Sequence, residues 1–140
     1  LIGWARFDAE ARVRDSVMAL KQDVRLLNER VTEVTLERPL PSLARKYKLE
    51  PEDVHHFLPH YSSEFFRPRL HQAMLNVNFD IPQERWFTNL SIRGNTGSAS
   101  MYIMIDELLS SGRVERGERV LCWVPESGRF TAAFVHLTAV

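Results

Sequence analysis

An α/β fold with a mixed, mostly parallel sheet is predicted by three observations in this 140-residue sequence. From Val54 onward, short apolar runs alternate with helix-period segments, the pattern of strands joined by crossover helices. The last two apolar runs, "GERVLCWVP" and "RFTAAFVHLTAV", are separated only by "ESG" and should close the sheet as an antiparallel hairpin. Ahead of them, the first 48 residues carry helix signals. The expected organisation is a helical lead-in over residues 1–48 followed by a β-α-β-α-β-β core over residues 49–140.

In chain order, Val13, Val17, Leu20, Val24, Leu27, Val31 and Val34 recur at spacings of four and three, the apolar seam of an amphipathic helix. Asp8 is placed to cap it, and the β-branched run "VTEVTLE" should end it near Arg30. The short length favours packing on a sheet over a coiled coil. Two prolines then lead into a short basic helix near residues 41–47, and "LEPEDVHHFLPH" reads as a turn entering a buried strand over 54–58. Ser62 or Ser63 can cap the next helix, where Pro68 fits if it falls in the first turn and produces a kink otherwise. A strand is expected over 86–92. The helix of "SASMYIMIDELLSSGRV" should then be capped by Ser98 and stopped by Gly112.

The composition is that of a globular chain, 44% hydrophobic and 26% charged. Eighteen basic residues against eighteen acidic ones remove the basic excess expected of a nucleic-acid binder. No apolar run approaches the ~20 residues of a membrane span, and a single cysteine cannot form an internal disulfide. A cytoplasmic protein is expected. The opening "LIGWARFDAEARVRDSV" has no initiator methionine and no polar lead-in, which reads as a piece of a longer chain.

Functional groups of such a sheet collect where strands hand over to helices. Two loop positions answer that description: His60 in "FLPHYSS" and Asn95 in "RGNTGSAS". Singly they are weak signals, since a histidine after a strand is more often structural and an asparagine beside glycine more often forms a turn. A zinc site built from His55, His56, His60 and His71 is disfavoured: on a strand His56 and His60 stand about 13 Å apart, and Pro59 opposes the helical turn that would bring them together. No metal and no cofactor is expected. Cys122 lies within an apolar run without a neighbouring base and reads as a buried, inert thiol.

Taken together, "FLPHYSS", "GNTGSASM…DELLSSGRVERGERVL" and "PESGRFTAAFVHL" resemble the C-terminal half of the ketoacyl synthase III family, the 3-oxoacyl-acyl-carrier-protein synthases III of the thiolase-like fold. The resemblance is strongest over residues 50–137. It implies decarboxylative Claisen condensation of an acyl with a malonyl thioester by a Cys-His-Asn triad, in which His60 matches the histidine and Asn95 the asparagine. The residue chemistry agrees: two neutral N–H donors aimed at a developing enolate oxygen lower its energy as an oxyanion hole does. The triad cysteine belongs to the family's N-terminal half.

Three departures from the family pattern stand out. "HQAN" is replaced by "HYSS", which puts Ser63 where an asparagine usually supports the site. The glycine-rich turn between the last strands is "PESGRF", so Glu126, Ser127 and Gly128 are expected to reshape the pocket floor. The link before "EPEDV" is longer than usual. The resemblance further implies acyl and malonyl thioesters of acyl-carrier protein or coenzyme A as partners, the N-terminal half of the same protein, and a homodimer. An acidic carrier would meet Arg67, Arg69 and Lys48, with Arg45 and Lys46 nearby. Rival readings are a non-catalytic partner subunit of the same fold, or acyl transfer to an alcohol or amine. The 140 residues alone are expected to be inactive and to self-associate through an uncovered apolar face.

Overall fold

The computed structural model describes residues 7–16 and 22–140. Asp8 caps α1 (Ala9–Arg14), its carboxylate accepting from the Ala11 N–H at 2.7 Å. The helix ends there, with Ser16 at φ 48°. A second helix, α2 (Val24–Thr32), starts afresh from Asp23, whose side chain accepts from the Leu26 N–H. The single long helix expected from the seam is therefore two helices, with Val17 and Leu20 outside the described residues. Val13 and Val24 are 82% and 57% exposed, while Val31 is buried. Among the described residues of the seam, it is the later part that packs.

Nor does "VTEVTLE" break the helix near Arg30. The chain continues as a π-helical turn, Glu33–Glu37, and then as α3 (Leu40–Tyr47). Tertiary packing overrides the β-branched propensity: Thr35 and Leu36 are buried, and the Thr35 hydroxyl returns its hydrogen bond to the Val31 carbonyl. After a 3₁₀ turn at Pro51–Asp53, β1 runs over His56–Pro59, two residues later than expected at its start.

Ser63 caps a 3₁₀ turn, Glu64–Phe66, which leads into α4 (Arg67–Asn76). Pro68 falls in its first turn, where its missing N–H costs nothing. The strand expected over 86–92 does not form. Trp86 makes a single parallel bridge to Phe57, and the chain then turns into α5 (Leu90–Arg93) because the Asn89 side chain and the Leu90 N–H find partners off the sheet. Ser98 is not the cap of α6 (Ser100–Ser110); it lies inside a 3₁₀ turn, Gly97–Ala99, that feeds the helix. Gly112, at φ 68°, ends that helix as expected.

The final hairpin forms from β2 (Arg119–Glu126) and β3 (Thr131–Thr138). The sheet order is β1-β2-β3, with β1 parallel and β3 antiparallel to β2. Strand alternation divides β2 between two cores. Leu121 and Trp123 join Phe57 and the residues of α2, α3 and α4, whereas Val120 and Cys122 join Leu58, Met101, Met104 and Leu108 of α6. A sheet covered on both faces explains the continuous apolar runs of β1 and β2. β3, at the edge, is mostly exposed.

Candidate functional site

β1 carries its ladder one residue beyond its end: the His60 N–H donates to the Trp123 carbonyl at 2.9 Å. On the other side, the Phe87 N–H donates to the Phe57 carbonyl at 2.8 Å. Both neighbours of β1 thus run parallel to it, so the chain after Pro59 and the chain after Phe87 leave by the same sheet edge. There they line one shallow depression, formed by Pro59, His60, Tyr61, Thr88, Asn89, Leu90, Gly94, Ser100 and Met104.

Glu107 of α6 organises the second loop. Its carboxylate accepts from the Asn89 amide at 2.6 Å and from Arg93 Nε at 2.6 Å. The Asn89 bond, followed by that of Arg93, holds the Glu107 carboxyl below the usual carboxylate range. Gly94 and Gly97, at φ 71° and 60°, take backbone conformations that a side chain would strain. Between them lies Asn95, exposed, its carboxamide oxygen accepting from the Gly97 N–H at 3.0 Å. This is the turn-forming role open to any asparagine beside glycine. It also leaves the NH₂ as the donor end of the amide. Thr96 and Ser100 hydroxyls meet at 2.9 Å and pin the loop to the start of α6.

His60 is half-buried, and that burial lowers its pKa from the usual histidine value. The fold therefore favours the neutral ring, a donor without a full charge. Because protonation is favoured in the unfolded chain, this contribution is complete above the unfolded histidine value of about 6.5 and is lost as pH falls through the lower folded value. Urea unfolding should show stability declining as the pH is lowered from about 6.5, and His60→Gln should flatten that part of the profile. A profile unchanged by the substitution would contradict the desolvated ring.

The structure brings His60 together with the Gly94 end of the "GNTG" loop; Asn95 itself does not line the depression. The hairpin turn contributes no residue to its lining, contrary to expectation. Pro59 pairs with Trp123, and β2 continues to Glu126, which carries the turn past the edge where His60 leaves. Glu126 closes that turn on itself, accepting from the Gly128 and Arg129 N–H groups, and the Ser127 hydroxyl accepts from Gln22. Glu126, Ser127 and Gly128 do not line this depression. Ser63 is also exposed, its hydroxyl spent on the Phe65 N–H.

Among the cations, Arg69 lies over the Phe65 ring at 3.9 Å, and exposed Lys48 ends α3 in the left-handed conformation. Arg67 is half-buried and internally bonded. Cys122 is buried in β2, and burial pushes its thiol up to about 12, so the thiolate needed for nucleophilic attack is suppressed. Among the described residues, no three His, Cys, Asp or Glu side chains converge as metal ligands. Tyr61, Asn89 and Glu107 escaped the sequence reading; Asn89 lay in an expected strand, and the partner of Glu107 is 18 positions away.

These features define the carboxyl-terminal half of a thiolase-like fold, with His60 and the "GNTG" loop at the carboxyl edge of parallel strands. The chain belongs to the 3-oxoacyl-[acyl-carrier-protein] synthase III family, whose C-terminal domain matches residues 44–136. The β-ketoacyl-[acyl-carrier-protein] synthase III of Aquifex aeolicus is 30% identical over 87 residues, covering 62% of this chain and 26% of that protein. A crystal structure of 3-oxoacyl-[acyl-carrier-protein] synthase III from Aquifex aeolicus aligns at a TM-score of 0.68 and 28% identity over 89% of this chain and 38% of the other. OleA of Xanthomonas campestris shares the fold at a TM-score of 0.73 and 20% identity, over 84% of this chain and 32% of that one. The chain thus spans about a quarter of the length of the curated relatives it matches.

Proposed function

We propose that this chain supplies the His60 and Asn95 donors of a condensing acyltransferase that joins an acyl thioester to a malonyl thioester with loss of carbon dioxide. The observation that carries this reading is the handover of β1 and the Trp86 bridge at one sheet edge, which sets a half-buried neutral imidazole beside the "GNTG" loop. Loss of carbon dioxide from the malonyl group leaves an enolate, and the two N–H donors bind its oxygen. A charged acid in their place would repel it. The acyl-accepting cysteine lies in the part of the relatives' length that this chain does not span; Cys122, buried and protonated, does not serve.

The same reading makes the protein a cytoplasmic homodimer whose other half packs against this one. Acyl-carrier protein or coenzyme A delivers the thioesters, and exposed Arg69 and Lys48 meet an acidic carrier. The decisive experiment separates the half-reactions in the whole protein. Enolate donors act only after the malonyl thioester arrives. With His60→Ala or Asn95→Ala, acylation of the enzyme by an acyl thioester should persist while release of labelled carbon dioxide from malonyl thioester falls. Equal loss of both half-reactions would point to general damage instead.

A further inference from the structure

Next to His60, Tyr61 is only 4% exposed, yet its hydroxyl is fully engaged. It accepts from Arg67 Nη1 at 3.4 Å and donates to Glu64 at 3.3 Å, and Tyr61 lines the same depression as Thr88 of the loop that leads to Asn95. Arg67 in turn donates through Nε to the Gln83 side-chain oxygen at 3.0 Å, and its guanidinium stacks 5.3 Å from the Trp86 ring centroid. The Gln83 amide donates to His71 Nδ1 at 3.2 Å, and His71 Nε2–H then donates to Asp80 at 3.1 Å. Trp86 is itself fixed by its indole N–H on the Ile81 carbonyl and by edge-to-face contact with Phe57. The result is a continuous bridge from the start of α4, across the Trp86 segment, to the residue beside His60.

We infer that Tyr61 and Arg67 are positioning residues that lock the His60 segment to the Trp86 segment, from which the second loop departs, so that the two donor loops hold one spacing. The inference rests on the function proposed above. It also gives Arg67 a different task from the carrier docking expected of it, because a guanidinium committed to Gln83, Tyr61 and the Trp86 face has few donors left for a partner. The phenol makes two polar contacts in a buried setting, where a missing partner is costly.

Tyr61→Phe keeps the buried ring and removes only the hydroxyl; Arg67→Lys keeps the charge and removes the fork. Both are to be made in the whole protein and assayed with malonyl pantetheine and with malonyl acyl-carrier protein, alongside His60→Ala. Misplacement of donors by a fraction of an ångström should lower the decarboxylation kcat roughly 10- to 100-fold with either thioester, leaving KM and the acylation half-reaction unchanged. The double variant should lose little more than either single one, since both act through one bridge. A rise in KM confined to the carrier-borne thioester would overturn the inference in favour of docking, and a lowered Tm with normal kcat and KM would overturn it in favour of a purely structural bridge. If His60→Ala also retains full decarboxylation, the donor reading itself fails; if His60→Ala abolishes it while Tyr61→Phe is normal, only the positioning inference fails.

Discussion

In the whole protein, His60→Ala and Asn95→Ala should each slow condensation by roughly 10²–10³, the range for removing one oxyanion donor. The size follows from where the donors act. Charge grows on the enolate oxygen as carbon dioxide departs, so a donor aimed there stabilises the transition state more than the bound substrate and is lost from kcat more than from KM. On the proposed role, in which both donors serve one oxygen, the double variant should fall well short of the product of the two single effects. Burial lowers the His60 pKa, which favours the neutral N–H that the proposed role requires. Asn95 is prepared by its own turn, since the Gly97 N–H holds the carboxamide oxygen and leaves the NH₂ to donate. Single variants with rates within a few-fold of wild type would remove these side chains from the mechanism and leave Asn95 as a turn residue.

Trp123→Ala should destabilise the fold by about 3–5 kcal/mol, read from urea unfolding midpoints at constant m-value. The indole is 2% exposed in the larger core, and its N–H donates to the Thr35 carbonyl at 2.9 Å, a contact spanning 88 positions. It therefore joins the sheet to the π-helical turn after α2. Trp123→Phe separates the two contributions: it retains much of the apolar volume but strands the Thr35 carbonyl, which should cost about 1–3 kcal/mol. Since the Trp123 carbonyl also receives the His60 N–H, relaxation of β2 in these variants would reach the site as well as the core. A loss of less than about 1 kcal/mol for Trp123→Ala would show that the helices before β1 are not docked through this residue.

The parts of the fold that local chemistry decides were legible in the sequence. Asp8 and Ser63 act as caps, Pro68 sits in a first turn, Gly112 stops α6, and the "ESG" spacing produces the β2–β3 hairpin. His60 and the "GNTG" loop could be picked out because motif order and strand-to-loop position point to them together. What escaped depends on distant partners. Thr35 and Leu36 stay helical because the core buries them, and the run after Trp86 leaves the sheet because Asn89 is claimed by Glu107. The role of Arg67 was hidden in the same way, since a surface cation and one folded onto Gln83 and Trp86 look alike in one dimension.

The parallel pairing of β1 with β2 carries a consequence for the order of folding. β2 and β3 are joined by one tight turn and can zip locally, whereas the His56–Glu118 contact at the start of the β1–β2 pair closes 62 positions of chain. Loop closure of that length is slow relative to hairpin formation, so the high-contact-order half of the sheet is assembled last. The amide of His60, held by the Trp123 carbonyl, should gain protection in pulse-labelled refolding after the β3 amides; simultaneous protection would mean that the sheet condenses in one step. The site is thereby a late product of folding: its histidine acquires a fixed address only when the longest-range strand pairing closes.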